Sequence, residues 1–369
     1  MKTVNGNVVC PGTIMNSSIL RYVEQDWHHF CVRDHRIQGT TTNDYEHFRQ
    51  TKASRKISYL QNFFIDTDTI PVLEKKISKH CEVADHVYVG FGEPIIFYKE
   101  HGKHHCYTHD FINRFSKDLP VTFFGNLISH VPLNRPLYYL NDMFFQSNKI
   151  YQEYELCKSL LAKLDHNLDK KFYWEMMCSN SIGIYNSLNS HPVKHKTFAT
   201  CHALGISHWG PDVITPKNGR SGAETFEKDH NIRCSDLIDP SIYNQSYYSC
   251  VVETVIPSDN SMSMFSEKEA KPIIAKRPFI IVGTKDHLKS FRQLGFKTFS
   301  PVIDESYDDE PDLDKRKSKI LGAMLKLTEE DPKEVYKELQ PVLEHNYNHF
   351  YEHQWNKELQ QAWYDGIIA

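Results

Sequence analysis

The sequence predicts an α/β protein built of two Rossmann-like lobes and a C-terminal helical segment. Apolar runs of strand length alternate along the chain with amphipathic stretches of helical spacing. Capping residues and prolines mark the starts of several of these helices. With 369 residues the chain is also longer than a usual single domain, which favours two lobes.

In the first half of the chain, the predicted strands are short apolar runs. They cover residues 57–65, 87–89, 95–98 and 121–124. After the first run, capping oxygens at 66–69 and Pro71 predict the first turn of a helix. A helical pattern over 149–168 is expected to connect the two lobes.

The second half shows the most regular alternation. We expect strands at 249–256, 278–283 and 296–303. Between the first two, a helix follows Ser266 and runs to Lys276. Between the last two, Thr284 caps a helix that Gly295 ends. Strands that alternate with helices in this way are typical of a parallel sheet covered by helices.

A final helix is predicted from its cap and its apolar stripe. Asp331 caps it, Pro332 occupies its first turn, and apolar residues at 335, 339 and 343 share one face. Pro341 is expected to kink or divide this helix, because proline lacks the backbone N–H that a helix interior uses.

Composition excludes several classes of protein. The chain has 43 Lys and Arg against 47 Asp and Glu, so it lacks the global positive field of a protein that packages nucleic acid. Its 40% hydrophobic content excludes a disordered chain. The nine cysteines are dispersed, odd in number and form no C-x-x-C pair, which indicates reduced thiols. Without a leader or a membrane span in the sequence, we expect a cytoplasmic protein.

The sharpest chemical feature lies at the start of the helix that follows Ser266. A helix N-terminus favours anions through its unpaired N–H groups and its dipole. The Ser266 hydroxyl, those amides, Lys268 and Lys271 together suit a diphosphate, and Glu267 suits ribose or sugar hydroxyls. The alternative is an ordinary surface pair, because Glu267 and Lys271 stand at i,i+4.

Metal sites are weaker candidates in this sequence. The spacing of His101, His105 and His109 fits ligands on one helix, but Gly102 weakens such a helix and no H-E-x-x-H motif is present. The Asp-x-Asp triplet at 66–68 has the spacing of a metal-binding motif, but such triplets arise easily by chance in a chain with this many acidic residues. The prediction is therefore that no motif of the chain requires a metal.

Several of these segments carry a family resemblance. The Ser266-Glu267-Lys268 motif, the short helix and the strand ending at Gly283 resemble the donor-binding segment of GT-B glycosyltransferases of the fucosyltransferase and exostosin type. A closer resemblance is to a group of phage glycosyltransferase-like proteins. It rests on residues 242–246, 252–254, 266–273, 294–299 and 303–308, and extends more faintly to 171–174.

The resemblance implies roles for the donor-side residues. Glu267, Lys268 and Lys271 would hold ribose and diphosphate, Ser266 would add a donor, and Glu253 belongs to the same pattern. Lys268 would also stabilise the departing nucleotide diphosphate. A Pro-His-Arg stretch that often follows the equivalent of Trp174 in the group is absent here, and the open candidates to replace its charge are Lys194, His195, Lys196 and Arg220.

The acceptor side is less defined by the sequence. An inverting transfer needs a general base, which we expect from the first lobe; Asp26, His28, Glu93 and Asp110 are the open candidates. The predicted domains are an acceptor-side lobe at 1–165, a nucleotide-sugar-binding lobe at 166–318 and a helical tail at 319–369 that packs back across the lobes.

The resemblance implies a nucleotide-sugar-dependent glycosyltransferase, encoded by a phage, that modifies a hydroxylated pyrimidine in viral DNA. The expected partners are the nucleotide-sugar and DNA, with no cofactor besides the donor. A surface glycan or a protein is the alternative acceptor. The absent basic stretch after Trp174 leaves a second class open, namely a non-catalytic virion or interaction protein with a decayed donor lobe.

Overall fold

A computed structural model gives the structure of the chain. It describes residues 7–8, 49–50, 56–62, 70–91, 96–98, 104–139, 151–152, 154–176, 182–191, 199–201, 237–253 and 256–352. Helices, two parallel sheets and two short antiparallel strand pairs make up this part of the chain, so the predicted α/β class is confirmed.

The strands, numbered in chain order, are β1 Asn7–Val8, β2 Lys56–Asn62, β3 His86–Phe91, β4 Ile96–Tyr98, β5 His104–Cys106, β6 Val121–Gly125, β7 Leu127–Ser129, β8 Leu137–Tyr139, β9 Phe172–Met176, β10 Ala199–Cys201, β11 Ser246–Val252, β12 Met262–Met264 and β13 Phe279–Val282. The helices are α1 Ile70–Cys81, α2 Thr108–Asn113, α3 Glu155–Leu161, α4 Ile182–Ser190, α5 Pro240–Tyr243, α6 Glu267–Ile274, α7 His287–Gln293, α8 Leu313–Leu327 and α9 Pro332–Glu352. A short 3₁₀ helix spans Ser306–Asp309.

The chain divides into two compact units. The first unit comprises residues 1–142, 257–264 and 354–369, and the second comprises 143–256 and 265–353. Residues 143–165, which we assigned to the first lobe, are grouped with the second unit, as are the tail helices α8 and α9. The segment 257–264 belongs to the first unit because β12 pairs with β7.

The first unit is organised around a five-stranded parallel sheet in the order β1-β2-β3-β6-β8. Its central strand β3 is buried along almost its whole length, which is why it reads as a continuous apolar run. The rings of Phe91 and Phe123 stack at 5.9 Å, and Phe111 of α2 meets both edge-on. These aromatic contacts form the core of the unit.

The second unit contains a four-stranded parallel sheet in the order β10-β9-β11-β13. Numbered by appearance in the chain, this order is 2-1-3-4, so the direction of strand addition reverses between β9 and β11. The register pairs Glu175 with Ser249 and Val252 with Val282. This reversal creates a topological switch point at the carboxyl ends of β9 and β11.

One predicted strand of the second unit is wrong. Residues 296–303 form turns and no ladder, although Phe296, Phe299 and Ile303 are buried. Phe296 stacks on Phe291 at 4.5 Å and Phe299 meets Phe279 edge-on at 4.9 Å. An apolar run can thus be buried as a packed loop, and its composition alone does not distinguish that from a strand.

Two helix predictions also need correction. Within the described part of the range predicted as a helix over 149–168, residues 151–152 are helical, Tyr154 is the N-cap of α3, and the chain is no longer helical after Leu161. Thr284 does not cap α7, because Asp286 occupies the N-cap and Asp308 accepts the N–H groups of Leu288 and Lys289 at 2.8 and 3.1 Å. Helix α9 continues through Pro341, so the proline does not divide it, and the kink stays a prediction.

The start of α9 follows the prediction. The Asp331 carboxylate accepts the N–H of Lys333 at 2.9 Å, and Pro332 is the first helical residue. Val335, Leu339 and Leu343 are buried on one face. Gly295 follows α7 with φ of 90°, a left-handed conformation that explains why glycine ends this helix.

Candidate functional site

The candidate site lies at the carboxyl edge of the second unit's sheet, where the strand order reverses. Glu253 directly follows β11, and Glu175 is the penultimate residue of the neighbouring strand β9. In open parallel sheets, ligands bind in the crevice outside the carboxyl ends of the strands at such a switch point. Helix α6 packs against β11 and brings its N-terminal residues to Glu253.

The N-terminus of α6 is fixed by a capping box. The Ser266 Oγ accepts the N–H of Lys268 at 3.3 Å, and the Glu269 carboxylate accepts the N–H of Ser266 at 2.9 Å. The Ser266 hydroxyl also donates to Glu253 Oε1 at 2.8 Å. Ser266 therefore ties the helix start to the end of β11 through one side chain.

Lys268 supplies a positive charge at this junction. Its Nζ lies 3.4 Å from Glu267 Oε1, 3.9 Å from Glu253 Oε2 and 3.3 Å from Ser266 Oγ. The lysine side chain is 19% exposed, whereas those of Glu267 and Glu253 are 10% and 2% exposed. The ammonium group is thus partly accessible to a ligand while carboxylates hold it in place.

Two buried carboxyl groups share the interior of the site. Burial raises the pKa of Glu253 well above its ordinary value, and the charge of Glu269 raises it further. Burial likewise raises the pKa of Glu269. Burial and the proximity of a second carboxyl group therefore both disfavour full ionisation of Glu253.

His287 lies beside this carboxyl pair on its buried side. Its Nε2 lies 3.5 Å from Glu269 Oε1, and neither atom has a hydrogen-bond partner among the residues that the structure describes. Burial lowers the pKa of His287, so the imidazole is neutral. The Cβ that an alanine would add at Gly283 would lie 2.4 Å from His287 Nδ1, so this imidazole requires a glycine at the end of β13.

A second buried acid lies deeper along β9. Burial raises the pKa of Glu175 to about 7, against the opposing effects of the neighbouring Ser249 hydroxyl and the charge of Lys271. Lys271 is only 7% exposed. The side of α6 that faces the sheet thus carries a lysine whose charge acts on a buried glutamate.

The structure brings together four of the predicted donor-side residues: Ser266, Glu267, Lys268 and Glu253. Lys271 lies one turn further along α6 and is largely buried. Lys196, Asp26 and His28 lie outside the described residues, as does Glu93. Asp110 lies in α2 of the first unit, and its Oδ1 is 3.4 Å from His109 Nε2.

His105 and His109 do not share one helix, and His101 lies outside the described residues, so the predicted helical histidine site does not form. His104 and His105 belong to strand β5, whereas His109 belongs to α2. Within the described ranges, no group of three or more His, Cys, Asp and Glu residues is arranged to hold a metal ion. Within the same ranges, no helix is both long and apolar enough to cross a membrane.

Sequence reasoning missed Glu175, Glu269 and His287. Glu269 could have been found, because Ser266 followed three residues later by glutamate is the sequence signature of a capping box. The roles of Glu175 and His287 depend on strand order and on packing between α6 and α7, which no local pattern encodes.

Comparisons of the chain with protein-family models, with curated proteins and with solved structures give no match.

Proposed function

We propose that the protein is a nucleotide-sugar-dependent glycosyltransferase whose donor-binding lobe is the second unit. The observation that carries the proposal is the position of Ser266, Glu267 and Lys268 beside Glu253, at the switch point of a parallel sheet. Nucleotides bind open α/β sheets at this place in many enzymes, so the location supports a nucleotide ligand.

The chemistry of the site supports the same ligand. A nucleotide-sugar presents ribose hydroxyls, which a carboxylate accepts, and a diphosphate, which a cation stabilises. Glu267 suits the first role and Lys268 the second, since both retain some exposure. During transfer, negative charge builds on the departing nucleotide diphosphate, and Lys268 would stabilise it.

The buried carboxyl pair supports this role for Lys268. If Glu253 and Glu269 were both ionised, they would neutralise the lysine and repel a diphosphate. Burial raises the pKa of both carboxyl groups, which disfavours two full negative charges beside the ligand. Their contacts with Ser266 then serve to orient the start of α6.

The acceptor side of the proposal rests on the sequence. A general base from the first lobe would deprotonate the acceptor hydroxyl, and its open candidates are Asp26, His28, Glu93 and Asp110. The proposed acceptor is a hydroxylated pyrimidine in phage DNA, and a surface glycan or a protein is the alternative.

A thermal-shift screen against nucleotide diphosphates and nucleotide-sugars tests the donor site. At about a hundred times its dissociation constant, a ligand stabilises the folded protein by about 2.7 kcal/mol. We expect one nucleotide to raise the melting temperature of the native protein, and Glu267→Ala and Lys268→Ala to abolish the shift. Lys315→Ala, which removes an exposed lysine of α8, is the control and should keep the shift in melting temperature.

The screen also separates the two classes of function. A shift that survives both site substitutions would place the nucleotide elsewhere and refute the proposed donor site. Well-folded protein that responds to no nucleotide would favour the non-catalytic interaction protein. If a donor binds, transfer of its labelled sugar to hydroxymethylated DNA, compared with unmodified DNA, tests the acceptor.

A further inference from the structure

A second candidate site lies at the amino ends of the strands of the same sheet, opposite the site at their carboxyl ends. It is a cavity of about 450 Å³ lined by residues before β9, residues between α6 and β13, and one face of α9. Arg277 lies two residues before β13, whereas Glu253 follows β11, so the two sites lie at opposite ends of parallel strands. Its volume falls in the range of cavities that hold small organic ligands.

Positive charge dominates the lining of this cavity. Lys276, Arg277, Lys333 and Lys337 line it, and Glu344 is the one carboxylate among the lining residues. Helix α9 places Lys333 and Lys337 one turn apart, at i,i+4, on one face, and the Lys337 Nζ also forms an exposed ion pair with Glu334 Oε2 at 3.2 Å. This is the charge pattern of a site for an anion.

The two cations beside β13 are held by the end of α6. The N–H of Lys276 donates to Ile273 O at 3.1 Å and the N–H of Arg277 to Pro272 O at 2.8 Å, which is the Schellman arrangement. Lys276 has φ of 51° at the position that usually carries glycine. Its Nζ contacts both carboxylate oxygens of Glu344, at 2.7 and 2.8 Å. The ion pair thus holds a lysine side chain at a left-handed backbone position that usually carries glycine.

Arg277 is a buried residue of the cavity lining that hydrogen bonds hold in place. The residue is 1% exposed, and its Nη2 donates to Asp165 O at 2.7 Å and to Tyr243 O at 3.1 Å. Both acceptors are backbone carbonyl oxygens, which carry no formal charge. The Arg277 Nε has no hydrogen-bond partner among the described residues.

Neighbouring ionisable groups respond to burial and to these cations, and the charge of Asp165 opposes the cations. The pKa of Lys170 is lowered to about 8, first by burial and then by the charge of Arg277. The pKa of His166 is lowered by burial, and then by Arg277, Lys276 and Lys170. An anion in the cavity would relieve this mutual repulsion.

We infer that this cavity binds a small phosphorylated metabolite, with the phosphate between Lys333, Lys337 and Arg277 and the organic part against Leu168, Tyr336 and Leu343. A phosphate matches a site of several lysines and an arginine, because it offers three oxygens and close to two charges. The concave shape and the apolar side chains suit a small molecule rather than a polymer backbone. The inference does not depend on the proposed glycosyltransferase activity.

Calorimetric titration of the full chain tests the inference. The probes are inorganic phosphate, glucose 6-phosphate and adenosine monophosphate, at one low ionic strength, because salt screens exposed charges. We expect at least one of the two esters to bind more tightly than phosphate alone. The ranking of the sugar ester and the nucleotide indicates which kind of organic part the cavity accepts.

Substitutions locate the binding. The double variant Lys333→Gln with Lys337→Gln should weaken the preferred ester by about tenfold or more. Lys333→Arg with Lys337→Arg keeps both charges and should restore most of the affinity. Lys315→Gln removes an exposed charge of α8 and should leave it unchanged.

Three results would overturn the inference. Neither ester binds more tightly than phosphate to the native protein; the double glutamine variant binds as well as the native protein; or Lys315→Gln weakens binding as much as the double variant, which would indicate general attraction to positive charge. Lys268→Ala separates this site from the donor site, because it should leave ester binding intact.

Discussion

Replacing Glu175 with glutamine should stabilise the protein progressively as the pH rises. The side chain is 1% exposed, and burial raises its pKa from 4.5 to about 7. Between these two values the folded state binds more protons than the unfolded state, so the native protein loses stability as the pH increases. Glutamine keeps the size of the side chain and never ionises, so the variant escapes this loss.

The structure sets the size of the effect. Each pKa unit corresponds to about 1.4 kcal/mol, so the rise to about 7 makes ionised Glu175 unfavourable by about 3 kcal/mol. The stability difference between variant and native protein should therefore grow by about 3 kcal/mol from pH 4.5 to just above pH 7 and then level off. The Glu175 Oε2 has no hydrogen-bond partner among the described residues, so an amide there adds a penalty that does not change with pH.

Urea denaturation at a series of pH values measures this difference. The variant Glu338→Gln removes an exposed carboxylate from α9, and we expect it to differ from the native protein by less than about 0.5 kcal/mol. A Glu175→Gln difference that stays constant from acid to neutral pH would refute the reasoning. It would mean that Glu175 ionises in the folded protein as readily as in the unfolded chain.

Two further predictions concern stability. Ser266→Ala removes the capping oxygen of α6 and the hydroxyl that donates to Glu253, and should lower the free energy of unfolding by about 2 kcal/mol. Urea midpoints measure this loss. The control Ser318→Ala, on the exposed face of α8, should be nearly neutral. Equal effects of the two serine substitutions would contradict the capping role. Gly295→Ala should also lose about 2 kcal/mol or more, because φ is 90° and the new Cβ would lie 2.6 Å from His349 Nε2. An unchanged melting temperature would show that this turn tolerates a side chain.

Features set by neighbouring residues were predictable from the sequence. The starts of α6 and α9 follow from Ser266 and from the Asp331-Pro332 pair, because a cap is a hydrogen bond between residues two or three positions apart. Strands β3, β6 and β13 follow from short apolar runs, since a parallel strand that is covered on both faces is apolar throughout. Residues 296–303 have the same kind of composition and form packed turns.

The sequence by itself determined the α/β class and the local motif of Ser266, Glu267 and Lys268. Only the tertiary structure decided that β9 and β11 are neighbours, which brings Glu175 and Glu253 to one edge of the sheet. It also decided that α9 lies against the end of α6 and forms a basic cavity with it. The physical reason is that caps and apolar runs depend on short stretches of chain, whereas strand order and buried charge depend on contacts between residues far apart in sequence.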